Sequence, residues 1–218
     1  MPFKAIVIAF CVAIFAYLVG SINFAVIFSK LFIKKDVREM GSGNAGATNV
    51  LRVGGVVPGL LTFVFDAIKG FVAAGAGRLV FQYITDNFDA FLLNAMHGAF
   101  ICGLLCMLGH IFPVFFQFKG GKGVATSVGI FAVCCPLAIT LGLLAFVACL
   151  ILMRIVSFSS LLATCVVVIT TIILNINAEL FLVQTALTVL MGSIVFLKHI
   201  DNIKRLLSGT EKKITFRR

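Results

Sequence analysis

The stretch GHIFPVFFQFKGGKGVATSVG, residues 109–129, places a short turn of two lysines and three glycines between two apolar segments. Apolar sequence runs up to Phe118, the turn occupies residues 119–123, and apolar sequence resumes after it. Basic residues in short connections between apolar segments are typical of the cytoplasmic side of membrane proteins. The stretch therefore indicates two membrane segments joined by a cationic turn at the inner surface.

The composition of the whole chain agrees with a membrane protein. Of the 218 residues, 61% are hydrophobic and 12% are charged, and the mean hydropathy is +1.16. A soluble domain carries about 25% charged residues. Alternating ten-residue segments, which would indicate a β-barrel, are not seen. We predict an all-α integral membrane protein that forms a single domain over residues 1–218.

Apolar runs near the length of about 20 residues that a spanning helix needs predict a bundle of seven transmembrane helices. The apolar run at the N-terminus, Met1–Gly20, is too long for a signal peptide and lacks a convincing cleavage site, so we interpret it as part of the first span. The predicted spans are residues 5–29, 54–77, 91–115, 122–136, 138–155, 159–177 and 180–198.

The basic residues predict the orientation of these spans. With the N-terminus outside, only Lys4 and Arg78 of the 18 Lys and Arg residues lie outside. The positive-inside rule then places the N-terminus outside and the C-terminus in the cytoplasm. We expect many inner-side positive charges only to attract anionic lipid and to set the topology; they are Lys30, Lys34, Lys35, Lys212, Lys213, Arg217 and Arg218.

The net charge of +10 does not indicate nucleic acid here, because the charges border membrane segments. All seven cysteines lie in or beside apolar stretches, without the cationic surroundings that activate a thiol. Cys102, Cys106 and His110 share a helical face, but without further ligands we expect packing residues and no metal. We expect neither a metal nor an organic cofactor.

Three polar segments fall on the predicted cytoplasmic side. The first, residues 40–55, reads MGSGNAGATNVLRVGG. Glycines let successive backbone amides converge on an anion, side chains of Ser and Asn add neutral donors, and an arginine fork suits phosphate. A flexible linker is the alternative. The candidate phosphate-binding residues are Ser42, Gly43, Asn44, Thr48, Asn49 and Arg52.

The second segment is the turn in the opening stretch, with Lys119, Gly120, Gly121, Lys122 and Gly123 at the start of a predicted helix. A glycine-rich turn before a helix N-terminus favours anions. The nucleotide-binding pattern GxxxxGK[ST] fails, because Phe116 stands at its first glycine and Gly123 follows the lysine. The turn therefore predicts phosphate without nucleotide. A basic turn at the lipid surface is the alternative.

The third segment, KHIDNIKRLLSGTEKK, spans residues 198–213. His199 and Asn202 lie three residues apart and share one face if the segment is helical. An amphipathic tail is the alternative. Separately, Asp66 and Lys69 lie three residues apart within the second predicted span, where charges are costly, so we expect them to form a structural pair. A role in shaping the polar site is the alternative.

These segments resemble, in order, the motifs of the bacterial acyl-phosphate:glycerol-3-phosphate acyltransferase family, the PlsY type. Ala45 departs from the family pattern, because many relatives have proline there. The matching segments are GSINFA (20–25), GSGNAGATNVLR (41–52), DAIKG (66–70), GHIFPVFFQFKGGKG (109–123) and HIDNIKRLLSGTE (199–211).

The resemblance implies a multi-pass enzyme of the bacterial inner membrane, with its active site facing the cytoplasm. It implies acyl transfer from acyl phosphate to sn-glycerol 3-phosphate, giving lysophosphatidic acid and inorganic phosphate. The Gly120-Gly121 turn matches the family's acyl-phosphate loop, and Glu211 matches the glutamate of its third motif. The catalytic residues implied by motif position are Ser42, Arg52, Lys122, His199 and Asn202.

Two other functions fit parts of the pattern. An organophosphate transporter would also gather Arg and Lys among its helices, but transporters usually show inverted repeats and polar sites at mid-membrane. A non-catalytic lipid-binding scaffold would not require three polar segments on one side. The oligomeric state, the preferred acyl-chain length and the base of the reaction stay open at the level of sequence.

Overall fold

The computed structural model describes residues 3–88, 94–178 and 181–214. The contacts divide the chain into two compact units, Met1–Cys134 and Cys135–Arg218. All regular secondary structure in the described ranges is helical, which confirms the all-α prediction. The prediction of a single domain stays a prediction. Some predicted features lie outside the described residues: the starts of the third and seventh predicted spans, at residues 91 and 180, and the tail residues Arg217 and Arg218.

A long central helix organises the first unit. This helix, α4, has 33 residues and is therefore about 50 Å long. It packs against α1, α5 and α6, and also carries contacts from α2 and α3. The helices of this unit are α1 (Phe3–Gly20), α2 (Phe24–Ile33), α3 (Ala47–Gly54), α4 (Val56–Phe88), α5 (Ala95–Ile111) and α6 (Val124–Cys134).

Glycines let α4 and α6 approach closely. Gly129 of α6 faces the main chain of α4, and a Cβ atom there would lie 2.6 Å from the amide nitrogen of Phe71. Gly70 of α4 faces Thr126 of α6 in the same way, with a Cβ atom 3.1 Å from its carbonyl carbon. Small residues at such contacts are typical of helix packing in membranes. The pair holds the start of α6 against the middle of α4.

The first predicted span, residues 5–29, is not one continuous helix. It is interrupted at residues 21–23 between α1 and α2. The side chain of Asn23 caps α2 by accepting from the amide of Val26 at 3.2 Å, and Ser21 Oγ donates to the carbonyl of Tyr17 at 2.9 Å. Such side chains compete with the helical main-chain hydrogen bonds. The polar residues of the GSINFA motif therefore set the break.

The described residues of the second unit form three long helices and one short helix. Helices α7 and α8 pack together, α9 packs against α8, and the short α10 contacts both α8 and α9. Pro136 begins α7 at a position where its missing N–H costs nothing. The four helices are α7 (Pro136–Met153), α8 (Val156–Leu174), α9 (Phe181–Lys198) and α10 (Ile200–Leu207).

Six apolar segments in the described residues are long enough to cross a membrane. The fourth predicted span, residues 122–136, falls on α6, which has 11 residues and is shorter than the ~20 that a crossing needs. Seven spans and the predicted orientation therefore stay predictions. The six segments are Phe3–Ile33, Val56–Phe88, Ala95–Phe116, Pro136–Met153, Val156–Leu174 and Phe181–Lys198.

Large apolar side chains cover the outside of these helices. Leu152 is 81% exposed, Leu182 is 79% exposed and Phe10 is 66% exposed. Exposed apolar surface over most of a helix is costly in water but matches a lipid environment. These surfaces agree with a multi-pass membrane protein.

Candidate functional site

The first polar segment is arranged around the buried side chain of Asn49. Its Nδ2 donates to the carbonyls of Val37 (3.0 Å), Met40 (2.9 Å) and Asn44 (3.1 Å), and its Oδ1 accepts from the amide of Ser42 (2.9 Å). These contacts occupy both ends of the amide with the main chain of the segment. We expect Asn49 to act on a substrate only through the segment that it holds in shape.

The same segment is more regular than the sequence predicted. Its second half forms α3, which carries Thr48 and Asn49 in its first turns and Arg52 in its last turn. Gly41 (φ 63°) and Gly43 (φ 73°) adopt left-handed conformations that favour glycine. Ser42 lies between them and is exposed, as is Arg52. Hydroxyl and guanidinium groups are thus presented at the surface from a fixed backbone.

Arg38, just before the first polar segment, is hydrogen-bonded to a residue just before the second. Its Nη1 donates to the carbonyl of Phe116 at 2.8 Å, while Nε and Nη2 donate to the carboxylate of Asp36 at 3.0 and 2.8 Å. The hydrogen bonds from Arg38 lower the pKa of Asp36 below its usual value. No local pattern predicts this link, because Arg38 and Phe116 lie 78 residues apart in the chain.

The second polar segment folds back on the end of α5. The amide of Gly120 donates to the carbonyl of Ile111, and the amide of Gly121 donates to the carbonyl of His110, both at 3.2 Å. Gln117 and Phe118, just before the turn, have left-handed φ angles of 59° and 57°, which are unusual for bulky residues. The turn therefore combines strained backbone conformations before it with main-chain hydrogen bonds to α5.

These contacts change one expectation for the glycine turn. The two glycine amides do not point at an anion, because they already donate to α5. The first amides of α6 have no partners within the helix, and Gly123 (φ 87°) leads into it. We therefore expect the anion to bind Lys119, Lys122 and the first amides of α6. The glycines instead let the turn pack closely against neighbouring main chain. A Cβ atom at Gly121 would lie 2.7 Å from the carbonyl oxygen of Ala45 in the first segment.

In the second unit, the third polar segment forms α10, but only Asn202 of the predicted His199–Asn202 pair lies within this helix. His199 precedes α10, Asn202 lies in its first turn, and both are buried. His199 Nδ1 lies 2.8 Å from the carbonyl oxygen of Val195. A carbonyl only accepts, so Nδ1 carries the proton. In the neutral ring, Nε2 then carries the lone pair.

Glu211 holds the C-terminal tail against α8 and α10. Its carboxylate accepts from Asn202 Nδ2 (2.6 Å), Arg205 Nε (2.6 Å) and Ser157 Oγ (2.8 Å). Burial acts to raise the pKa of Glu211, but the hydrogen bonds from Arg205, Asn202 and Ser157 together hold that pKa below the usual value. An ionised carboxylate so placed would repel phosphate, so we expect Glu211 to position Asn202 instead of binding substrate.

The hydrogen bonds that Glu211 accepts from Asn202, Arg205 and Ser157 form the Glu211 clamp. The pH dependence of stability in a Glu211→Gln variant tests this clamp. The folded-state pKa lies below the ordinary value of 4.5, so ionised Glu211 stabilises the fold above that value, and the stabilisation is lost as pH falls through the folded-state pKa. We expect the variant to melt about 4–8 °C lower than wild type near pH 7 in detergent, from about 2 kcal/mol. The difference should shrink below about pH 4.5. Glu39→Gln, at an exposed carboxylate, should melt like wild type, and a Glu211→Gln difference independent of pH would contradict the clamp.

The structure confirms the predicted buried pair. Lys69 Nζ lies 2.8 Å from Asp66 Oδ1 within α4, and both residues are buried. Cys106 Sγ lies 3.5 Å from the carbonyl oxygen of Lys69, as expected for a packing residue. Among the residues that the structure describes, no group of three His, Cys, Asp or Glu side chains is placed to hold a metal.

The structure brings together the first two polar segments, which lie in the first unit, through Arg38 and through the close approach of Gly121 to Ala45. The meeting of these segments with the third, and the substrate roles of all the candidate residues, stay predictions. Sequence reasoning missed Arg38 and Ser157. The serine lies in an ordinary apolar helix and offers no pattern that would have found it.

Three comparisons with known proteins agree on one family. A family model described as "Glycerol-3-phosphate acyltransferase" matches residues 10–209. The chain is 41% identical over 201 residues to "Glycerol-3-phosphate acyltransferase 2" of Bacillus anthracis, which covers 92% of this chain and 96% of the relative. It is 40% identical over 206 residues to "Glycerol-3-phosphate acyltransferase" of Francisella tularensis subsp. novicida, covering 94% and 92%.

Two solved structures share the fold. Both are described as PlsY (YgiH), "an integral membrane glycerol 3-phosphate acyltransferase". The glycerol 3-phosphate form has a TM-score of 0.79 and 34% identity, over 95% of this chain and 96% of that chain. The lysophosphatidic acid form has a TM-score of 0.76 and 33% identity, over 95% of each chain.

Proposed function

Because the chain belongs to the glycerol-3-phosphate acyltransferase family, we propose that it transfers a fatty acyl group from acyl phosphate to sn-glycerol 3-phosphate. Family membership makes it an acyltransferase that acts on glycerol 3-phosphate. The proposal adds the donor and the products, lysophosphatidic acid and inorganic phosphate. The motif resemblance supports acyl phosphate as the donor.

The observation that carries the proposal is the contact between the first two polar segments. Arg38, just before the first segment, donates to the carbonyl of Phe116, just before the turn, and a Cβ atom at Gly121 would lie 2.7 Å from the carbonyl oxygen of Ala45. These contacts support a shared phosphate surface to which the first segment contributes Ser42 and Arg52 and the turn contributes Lys119 and Lys122. Clustered cations and neutral donors stabilise phosphate groups and developing negative charge. Two phosphorylated substrates need such a surface.

The chemistry requires no enzyme nucleophile. A glycerol hydroxyl oxygen attacks the acyl carbonyl carbon, the bond between that carbon and the phosphate oxygen breaks, and phosphate leaves with the electron pair. The hydroxyl proton passes to a base. Acyl phosphate is a mixed anhydride and is already activated, so no enzyme thiol is needed as a nucleophile. The sequence agrees, because all its cysteines lie in or beside apolar stretches. Arg52 and Lys122 neutralise the phosphates, and holding both substrates in place is worth about 7–11 kcal/mol.

His199 is the base in this proposal. Its Nδ1 donates to Val195, which leaves Nε2 as the nitrogen that takes the hydroxyl proton. This role requires His199 and Asn202 to lie beside the bound phosphates, as the predicted convergence of the three polar segments implies. Convergence of the three segments at the cytoplasmic side of the bacterial inner membrane is part of the proposal, as are seven spans with the N-terminus outside.

Two variants separate the chemical role of His199 from a structural role. His199→Ala removes both nitrogens, while His199→Asn keeps a donor near the position of Nδ1 and removes Nε2. We expect both to lower kcat/KM about 100- to 10,000-fold and to abolish the acidic limb of the pH–rate profile. If His199→Asn keeps near-normal activity, the histidine is structural and a substrate phosphate oxygen takes the proton.

An apolar groove in the second unit suits the acyl chain. The groove has a volume of about 530 Å³ and is lined by residues of α8, α9 and α10. Its lining includes Gly192, which has no side chain, and Ser193, and it extends to Ile200 and Ile203, which follow His199 in the chain. A chain lying there would carry its head group towards the third polar segment.

Purified protein in lipid vesicles tests the function. With acyl phosphate and glycerol 3-phosphate outside, we expect lysophosphatidic acid and inorganic phosphate to form in equal amounts. Acyl-CoA in place of acyl phosphate should give no product. Equal activity with acyl-CoA would refute the proposed donor. Entry of intact glycerol 3-phosphate into the vesicles without acylation would instead show a transporter.

A further inference from the structure

A buried charged cluster in the first unit lies directly behind the glycine turn. Asp66 and Lys69 lie within the membrane-spanning α4 and are 1% and 3% exposed. Lys69 Nζ contacts Asp66 Oδ1 at 2.8 Å and donates to the carbonyl of Ile22 at 2.7 Å. Removing two charges from solvent is costly even when they pair. A pair of well-packed apolar residues would serve stability alone at least as well.

His110 extends this pair towards the glycine turn. It lies in the last turn of α5 and is 4% exposed. Its Nδ1 lies 3.5 Å from Asp66 Oδ1, which is an electrostatic contact longer than a strong hydrogen bond. One side of the imidazole therefore faces the carboxylate of α4.

The other side of His110 faces the turn itself. Its carbonyl accepts from the amide of Gly121, and a Cβ atom at Gly121 would lie 2.8 Å from its Cε1 and would overlap Nε2. The neighbouring amide of Gly120 donates to Ile111. The orientation of the His110 ring and the path of the turn are therefore fixed together.

We propose that Asp66, Lys69 and His110 are positioning residues that hold the Gly120-Gly121 turn in the geometry that receives the phosphate of the acyl donor. Asp66 orients the imidazole, Lys69 fixes Asp66 against the α1–α2 break, and the imidazole supports the turn from behind. None of the three needs to touch a substrate. The inference rests on the proposed function for its kinetic part only.

The first test measures the turn without any substrate. Hydrogen exchange of purified protein in detergent should show protected amides at Gly120 and Gly121, because both donate to α5. His110→Gln keeps a polar atom near Nε2 but loses the Nδ1 contact with Asp66. We expect exchange of the peptide containing residues 112–123 to rise about tenfold in this variant, with little change in the peptides of α6.

The second test is kinetic. In His110→Gln we expect the KM for acyl phosphate to rise about tenfold, the effect of one lost contact, with the KM for glycerol 3-phosphate changed less than about twofold. A purely structural role would lower the active fraction and leave both KM values unchanged. The double variant Asp66→Asn/Lys69→Met, which removes both charges together, should raise the same KM and the same exchange.

His97→Gln is the matched control. His97 is also a buried histidine of α5, but it lies at the opposite end, where it forms a capping box with Asn94. This variant should lower the melting temperature without changing exchange at residues 112–123 or either KM. Unchanged exchange of the turn in both His110→Gln and the double variant overturns the inference, whatever the activity. If wild type fails to use acyl phosphate while the exchange results hold, only the proposed donor fails.

Discussion

The Arg52→Ala and Lys122→Ala enzymes are expected to show kcat/KM values about 100- to 1,000-fold below wild type, because each loses a cation that stabilises developing phosphate charge. Arg52 is exposed in the last turn of α3, and Lys122 is half-buried directly before α6. Arg52→Lys should recover only part of the loss, because lysine keeps the charge but not the planar fork that binds phosphate bidentately. Initial rates in vesicles with acyl phosphate and glycerol 3-phosphate give these values.

Lys35→Ala is the control for loss of positive charge in general. Lys35 is exposed and belongs to the residues that we expect only to face lipid head groups. Its kcat/KM should stay within about twofold of wild type. If Arg52→Ala or Lys122→Ala falls no further than Lys35→Ala, that residue does not hold a phosphate in the reaction.

Gly120→Ala, which adds only a methyl group, is expected to cause a large loss of activity. The new Cβ would lie 2.8 Å from both the carbonyl oxygen of Ile111 and Cδ of Pro113, and would overlap the carbonyl oxygen of His110. These neighbours are main chain and a proline ring, so none moves aside without displacing the turn. We expect activity below about 1% of wild type and a melting temperature lowered by about 4–8 °C, from about 2 kcal/mol of overpacking.

Gly75→Ala supplies the matched comparison. Gly75 lies within α4, and a Cβ atom there has nothing within 4 Å. Alanine favours helix over glycine by about 1 kcal/mol, so this variant should melt at or above the wild-type temperature and keep full activity. If Gly120→Ala behaves like Gly75→Ala, the turn accommodates a Cβ atom at residue 120, and the close contacts expected there are wrong.

Local pattern predicted those features whose partners are close in sequence. The Asp66–Lys69 pair follows from a three-residue helical spacing at membrane depth, and it is present. Here the geometry of a single helix decides the contact, so no knowledge of the tertiary fold is required. His199 and Asn202 have the same spacing, but His199 precedes α10 as its N-cap residue, so their shared face stays a prediction.

Features that depend on tertiary structure were not predictable. The composition of residues 40–55 indicates a loop because it is rich in polar residues and glycine, yet packing of the buried Val50 stabilises a helix over residues 47–54. Asn49 reads as a ligand donor, but its amide is occupied by the main chain. The link from Arg38 to Phe116 and the contact of His110 with Asp66 join distant segments and leave no local pattern.

The interruption after α1 has a consequence for how such chains can change over time. In an unbroken helix, the carbonyl of residue 22 would accept from an amide one turn later, and that amide would compete with the Lys69 ammonium, which reaches this carbonyl at 2.7 Å. A substitution that restores helical continuity at residues 21–23 would therefore weaken one of the two contacts of a buried cation and leave its pair with Asp66. Selection on the break and on the lysine is thus coupled, although their positions differ by 47.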